Sequence, residues 1–586
     1  MGVFRPYVRK YGKLFLIAIF FLMIESAADL LLPTIMARMV DDGVTGSDMH
    51  EVLRLGGLML LVTAGGALGA TIRNLIASRV SQRFGADVRS DLFRKIQTFT
   101  FESIDKFDRP SLMTRLTNDV TQVQNFVNGL MRIFVKAPMI CIGSLIMAAN
   151  LNRHLALVLL IVVPVVGLLI FINMRIGFPL FAKVQGALDR INGASREYLS
   201  GVRVVKAFNR FDHEMGKFDR ANEEYRERTT VASRVMAVFS PGVMLTVNFG
   251  IAAIIWIGGL RVNAGSMQVG DILAFIHYMT QILFSLLMIS FVFNMFVRAK
   301  ASAERIGEVF EEGRRMEREP AREAGAAPAG GPAPKLEFDR VSFSYEGASG
   351  DPVLKKVSFS CLAGETVGII GSTGSGKSTL VSLIPRFYDV SAGAVRVDGV
   401  DVRSLEPQEL REKIAVVPQK SILFTGTIES NIRWGKEDAT EEEVAQAARM
   451  AQAEEFISKF PERYGTPLGQ GGVNLSGGQK QRLSIARALI RRPDILILDD
   501  STSAVDTATE TRIKQALKAY AQGITCLIIA QRITSVIDAD KIIVLDDGEI
   551  AGIGKHDELL RMCRSYQEIF RSQIGKEVSA NVSATS

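Results

Sequence analysis

The sequence predicts an all-α membrane domain of six long helices followed by an α/β domain with a helical subdomain. Three observations carry that prediction. Mostly apolar stretches of about the 20 residues that span a bilayer recur before residue 300. After residue 335 the apolar runs become short and strand-like, with helical stretches between them, as in a largely parallel sheet. Between the two parts, residues 312–334 are rich in Ala, Gly, Pro and charges, bury no core, and read as a linker.

At 586 residues the chain exceeds a single core. Its 48% hydrophobic and 22% charged residues resemble a soluble protein, yet mean hydropathy is +0.19. The average therefore blends a lipid-facing part with a soluble one. The 69 Lys and Arg against 62 Asp and Glu fit a positive-inside membrane protein and call for no nucleic acid. Cys141, Cys361, Cys526 and Cys563 lack metal-ligand spacing, which excludes a zinc ribbon or a disulfide scaffold and suits a reducing compartment.

The membrane helices are placed near 14–36, 52–77, 131–150, 154–174, 237–261 and 271–298, within a transmembrane domain at 1–311. Loop charges orient them. Arg5, Arg9, Lys10 and Lys13 precede the first. Lys and Arg crowd the second-to-third connection (Arg79 to Arg115) and the fourth-to-fifth (Arg175 to Arg234), whereas the alternate connections are short or acidic. Both termini are thus expected in the cytoplasm, and the bacterial inner membrane expected for the chain comes with the family resemblance given below. The first apolar core is long and no small-residue cleavage site follows it, so it is read as a helix rather than a signal peptide. Apolar residues recur at helical spacing in the two basic excursions, so the helices are expected to continue into the cytoplasm, turning near Phe101–Phe107 and Phe208–Asp212. Residues 576–586, small and polar, read as a tail.

Glu25 and Asp29 stand four apart, on one face of the first helix. Carboxylates at membrane depth are costly and suggest function. They are candidates to attract a cationic amphipath, against the plainer reading of pairing with a neighbouring helix. Asn248, His277, Gln281 and Asn294 read chiefly as interhelical hydrogen-bonding groups.

In the second domain, 335–575, strands are expected at Leu336–Phe343, Thr366–Ile370, Ile414–Val417, Ile495–Leu498, Thr525–Ile529 and Lys541–Leu545. The second of these runs into Gly371-Ser372-Thr373-Gly374-Ser375-Gly376-Lys377-Ser378-Thr379, a G-x-x-x-x-G-K-S loop in its strand–loop–helix setting. Glycines let backbone N–H groups wrap phosphates, and the following helix N-terminus favours anions. Lys377 is assigned to the β- and γ-phosphates of ATP and Ser378 to Mg²⁺. The strand at 495–498 ends in Asp499-Asp500: Asp499 is placed to hold Mg²⁺ and Asp500 where a general base for water is needed.

Leu475-Ser476-Gly477-Gly478-Gln479 completes the set. Together these motifs resemble the ATP-binding cassette (ABC) transporters, and six membrane helices ahead of one cassette resemble an exporter-type half-transporter, over the whole chain. The resemblance implies that the 475–479 signature caps ATP held by the other cassette of a dimer. It makes Tyr345 the aromatic that stacks on adenine, Gln419 a sensor of Mg²⁺ and water, and Ser503–Asp506 a loop touching the opposite cassette. The turns near 101–107 and 208–212 look like coupling helices.

The family pattern carries Glu and His where this chain has Asp500 and Gln531. Aspartate is one methylene shorter, and a carboxylate misplaced by about 1 Å can cost about 10²-fold in rate. Glutamine donates a hydrogen bond but cannot carry charge. Two departures in one site beside an intact signature point to a heterodimer, in which this chain binds ATP, hydrolyses it weakly and completes a competent site on its partner. Homodimerisation with two slow sites is the competing reading. The expected cargo is a lipophilic, drug-like compound. A lipid flippase and an ATP-gated channel or regulator are the alternatives, and a merely tethered cassette ATPase is disfavoured by the long excursions. No peptidase precedes the first helix, which is not expected of an exporter that trims its own peptide cargo.

Overall fold

The computed structural model describes residues 2–316, 334–345, 350–503, 505–520 and 523–573. The chain forms two compact units: Met1–Thr98 with Arg109–Arg314, and Phe99–Asp108 with Arg315–Ser586.

Among the described residues of the first unit, six helices are long and apolar enough to cross a membrane: Gly2–Thr45, Met49–Gln97, Arg109–Leu151, Arg153–Ala207, Phe211–Asn263 and Val269–Glu312. With no water to satisfy backbone groups in hydrocarbon, only helices and closed barrels can span it. Capping side chains mark two starts. Asp48 accepts from the His50 amide at 2.9 Å and Asn152 from the His154 amide at 3.1 Å, each satisfying a first-turn donor. The helices outrun the apolar spans because the charged excursions keep helical spacing. Helical structure persists to Met316, into the stretch expected as linker, because Glu308–Met316 is rich in good helix formers. The rest of that stretch and the tail expected at 576–586 lie outside the described residues.

Leu155, Leu159 and Val162 of the fourth helix, Val247 and Ile254 of the fifth, and Phe275, Tyr278 and Met279 of the sixth form one apolar cluster. Polar groups within it are spent between helices: Tyr278 Oη donates to the Leu30 carbonyl at 2.8 Å, and Gln281 bonds Ser144 and the Asp29 carbonyl. Asn294 instead donates to Ser290 of its own helix. Nearer the helix ends, the buried carboxylate of Asp119 accepts from Ser302 at 2.8 Å and from both arms of the Arg305 guanidinium.

In the second unit twelve strands are described: β1 Leu336–Phe343, β2 Leu354–Cys361, β3 Thr366–Gly371, β4 Ala392–Val397, β5 Val400–Asp401, β6 Ile414–Val417, β7 Gly426–Thr427, β8 Pro467–Leu468, β9 Ile495–Asp499, β10 Thr525–Ile529, β11 Lys541–Asp546 and β12 Glu549–Gly554. The main sheet runs β12-β11-β3-β10-β9-β6, parallel except for β12. An antiparallel sheet, β2-β1-β4-β5, covers one face, with Phe338 stacked on Phe359 across the β1–β2 pair at 4.6 Å. All six expected strands are present. Sequence reading missed the other six: β2, β4 and β12, where Lys355-Lys356, Gly393 and Gly552 interrupt the apolar pattern, and the two-residue strands β5, β7 and β8. Helices Ile428–Arg433, Glu441–Met450, Glu454–Ile457 and Gly477–Leu489 supply a helical lobe whose core includes Ala447, Phe456 and Leu483.

The short helix Phe101–Phe107, started by a Thr100 cap, belongs to this second unit. Phe101 lies 4.5 Å from the Phe387 ring, and Tyr388 Oη donates to Asp105 at 2.7 Å.

Asp119→Ala should strand the Arg305 guanidinium and the Ser302 hydroxyl at once. Thermal unfolding of the purified protein in detergent should fall by the equivalent of about 2 kcal/mol, and Asp119→Asn, which keeps an acceptor for Ser302, by less. An unchanged Asp119→Ala melt would remove this lock from the account.

Candidate functional site

Strand β3 is buried because it is flanked on both sides, by β11 and β10, so its C-terminal end delivers the phosphate loop to a fixed place. At Gly374 (φ +87°) and Gly376 (φ +94°) the loop adopts left-handed conformations that side chains resist. Lys377 is 9% exposed, and its amine donates to the carbonyls of Gly371 at 2.9 Å and Ser372 at 2.6 Å, with Ser375 Oγ at 3.4 Å. Burial pulls that amine below the usual lysine range, while the charges of Asp499 and Asp500 pull it back up. A cation with this many neutral acceptors is held ready for a better anionic partner.

Strands β9 and β10 lie in register beside it, so Asp499, at the end of β9, faces Ile529. Asp499 Oδ1 accepts from Ser378 Oγ at 3.3 Å. Burial raises its carboxyl pKa, the Ser378 bond lowers it, and the charge of Asp500 raises it again. Hydroxyl, carboxylate and the Gln419 amide form a hard oxygen set of the kind Mg²⁺ takes, so Ser378, Asp499 and Gln419 fit the ion. Asp500 sits at φ +44°, a backbone region that aspartate tolerates better than most residues. Its Oδ2 accepts from Gln419 Nε2 at 3.3 Å and from Gln531 Nε2 at 3.2 Å. Burial raises the Asp500 carboxyl and the Gln419 bond lowers it.

These groups line a cavity of about 250 Å³, with Thr373, Gly374, Gly376, Lys377, Ser378, Thr379, Gln419, Asp499, Asp500 and Gln531 in its wall; Val353 and Ile529 were not anticipated. Of the expected phosphate-loop positions, Gly371 and Ser372 meet Lys377 through their carbonyls and Ser375 through its hydroxyl. Tyr345 is joined to the loop by a 3.0 Å bond between its hydroxyl and Thr379. Its ring packs edge-on against Phe343 at 4.9 Å and Tyr388 at 5.4 Å, leaving the residue 38% exposed. Sequence reading missed Tyr388 and Asp105. The only signal was an aromatic soon after the phosphate-loop helix, which nothing nearby in sequence explains.

The signature lies apart from this cavity. Leu475 is buried, and Ser476 caps the Gly477–Leu489 helix: its hydroxyl accepts from the Gln479 amide at 3.3 Å while Gln479 Oε1 accepts from the Ser476 amide at 2.8 Å. This capping box leaves Gly477 and Gly478 bare at the helix start. Asp506 caps the next helix through the Thr509 amide at 2.9 Å; Ala504 of that loop lies outside the described residues.

Glu25 and Asp29 do not stand bare. Glu25, 7% exposed, meets Arg73 Nε at 2.8 Å and Lys136 Nζ at 2.5 Å, and Lys136 reaches Asp29 at 2.9 Å. Pairing with neighbouring helices, the plainer expectation, is what these distances describe.

Two family models match the chain: "ABC transporter transmembrane region" over residues 15–286 and "ABC transporter" over residues 354–503. An uncharacterized ABC transporter ATP-binding protein of Bacillus subtilis, YfiB, is 41% identical over 574 residues, covering 98% of both chains. One of Mycobacterium tuberculosis, Rv1273c, is 40% identical over 586 residues, with 98% of each chain covered. Among solved structures, a bacterial Atm1-family ABC exporter with ATP bound aligns with a TM-score of 0.76 at 26% identity, covering 97% of this chain and 98% of that one.

Tyr345→Ala should raise the ATP dissociation constant about tenfold, the worth of one base–aromatic stack; Tyr345→Phe should leave it nearly unchanged. Equilibrium titration with a fluorescent ATP analogue measures both, and a wild-type-like Ala variant would dismiss the stacking role.

Proposed function

We infer the function from the premise that this chain belongs to the ABC transporter family: it is an integral membrane subunit of an ATP-driven exporter. We propose that it works in a heterodimer as the weakly hydrolytic half, moving lipophilic or amphipathic compounds outward by alternating access, with both termini cytoplasmic. One observation carries this reading: Asp500 and Gln531 hydrogen-bond each other in the catalytic position, beside a signature whose capping box is complete.

ATP would lie in the 371–379 loop with adenine against Tyr345. Lys377 would exchange its loop carbonyls for β- and γ-phosphate oxygens. Ser378, Asp499 and Gln419 would hold Mg²⁺, which supplies charge neutralisation on the phosphates. Hydrolysis needs a base that takes a proton from water as its oxygen attacks the γ-phosphorus. Asp500 is poorly suited. Its side chain is short, and its Oδ2 already accepts two amide hydrogen bonds that a proton from water would have to displace, although burial raises the carboxyl overall. Gln531 would donate to the γ-phosphate without adding charge. ATP held this way acts mainly as a clamp between cassettes.

The intact signature, in contrast, keeps a purpose if it serves a partner's ATP. Bare glycines at a capped helix start let backbone N–H groups approach a phosphate closely. An exposed aromatic supports a partner too. At the turn between the fourth and fifth helices Phe208 is 75% exposed, an apolar side chain suited to a cassette surface.

In the reconstituted pair, Ser476→Arg should nearly abolish ATPase activity, because it blocks the competent site. Asp500→Asn should lower it less than about threefold. Steady-state phosphate release ranks the two, and the reverse order would defeat the asymmetric assignment.

A further inference from the structure

The first, second, third and sixth helices of the membrane unit line a second, open cavity of about 450 Å³, whose wall includes Glu25, Arg73, Asn128, Arg132, Lys136 and Met295. Its charges do not cancel. Glu25 is shared between Arg73 and Lys136, and Asp29 is bound by Lys136, so both carboxylates of the cluster are consumed by two cations. Arg132 is left over. Its carbonyl accepts from Arg73 at 3.1 Å, but its guanidinium forms no hydrogen bond or ion pair with any described residue. Arg132 is an exposed residue of the cavity wall, free to meet an incoming anion, whereas Arg73 and Lys136 are already committed to carboxylates.

Four further features make this a built wall rather than a stray charge. Arg73 is only 5% exposed, so one side of the cluster is fixed by packing. The Asn128 amide oxygen is buried without a partner, an unspent group for a headgroup hydroxyl. Residues Leu130–Phe134, which carry Arg132, form a π-helical turn, a local widening often found at functional sites that sets Arg132 and Lys136 out of ordinary helical phase. Met288 and Met295 line the same cavity with flexible, polarisable surface that suits an apolar body of variable shape.

We propose that this cavity binds an amphipathic anion, a phosphate or carboxylate headgroup on an apolar body, with Arg132 as its principal counter-ion. The proposal rests on the exporter reading and names a substrate class for it. It reverses the expectation that Glu25 and Asp29 draw in cations, since both are already neutralised from neighbouring helices. The same headgroup chemistry is found on a soluble surfactant-like anion and on an anionic lipid.

Binding is measured without nucleotide, on the full chain with its partner in phosphatidylcholine nanodiscs. One arm titrates radiolabelled dodecyl phosphate, with dodecyltrimethylammonium as the cationic control. The other arm measures phosphatidylglycerol retained by native mass spectrometry from mixed nanodiscs. Either anion should bind in preference to its uncharged or cationic control. Arg132→Gln should weaken binding about tenfold, the order expected for losing a charge-assisted bond, Arg132→Lys should restore most of it, and Glu25→Gln should leave it intact or tighter. Response in the first arm alone identifies a soluble amphipath, and in the second alone a lipid. No anion binding in either arm, tighter binding of the cation, or an Arg132→Gln variant that binds as wild type overturns the proposal. ATP-dependent uptake into vesicles, assayed separately, decides the exporter reading on its own.

Discussion

A charge removed from water costs several kcal/mol unless another charge or several hydrogen bonds meet it, and both functional regions of this chain are organised by that penalty. In the membrane unit it explains why Glu25 is tied to Arg73 and Lys136 on two other helices. Those pairs hold the first three helices in one register, because a rotation of any helix would leave a bare charge in low dielectric. In the cassette the same penalty works on Lys377, Asp499 and Asp500. Lys377 meets the carbonyls of Gly371 and Ser372, and the aspartates meet Ser378, Gln419 and Gln531. Each of these partners is neutral, so one cation and two carboxylates face a single cavity without pairing to one another.

A second thread is aromatic. Tyr345 is bonded to the phosphate-loop helix through Thr379, packs on Tyr388, and Tyr388 in turn bonds Asp105 of the short helix Phe101–Phe107. Burial, and the hydrogen bond and charge of Asp105, hold the Tyr388 hydroxyl well above the usual tyrosine range, so it remains a donor at any physiological pH. Adenine settling on Tyr345 would thus press on a ring whose far end grips the 101–107 helix. The path is short, two side chains, and each link is a discrete contact rather than a diffuse strain.

What the sequence made legible follows from how local each feature is. The phosphate loop and the Asp499-Asp500 strand end are each written within a few consecutive residues, and each lies at the end of a sheet strand. Five of the six expected strands carry short, nearly continuous apolar runs and were equally readable, and β1 was read despite Asp339 and Arg340. β2 was not, because Lys355 and Lys356 break its alternation and only pairing with β1 makes it a strand. The charge cluster shows the other limit. Glu25 and Asp29 advertised themselves as carboxylates in an apolar span, but Arg73 and Lys136 sit just at the edges of theirs, where basic residues are ordinary. Nothing local says that residues so far apart in sequence meet at 2.8 Å, or that Arg132 is left out of the charge cluster.

The two departures from the hydrolytic pattern are better understood as one. A glutamate in place of Asp500 would carry its carboxylate about 1 Å farther along, past the Gln531 amide that now bonds it. A histidine in place of Gln531 would offer a ring nitrogen able to bear charge, whereas the glutamine amide offers a neutral donor to Asp500 Oδ2. Changed singly, either residue would lose its present partner; together they close a hydrogen-bonded triad with Gln419 over the cavity. The triad gives Asp500 Oδ2 two amide donors and so occupies an oxygen that a base would use. Stability of the nucleotide-bound clamp and speed of hydrolysis thus pull on the same carboxylate, and in this chain its geometry favours the clamp.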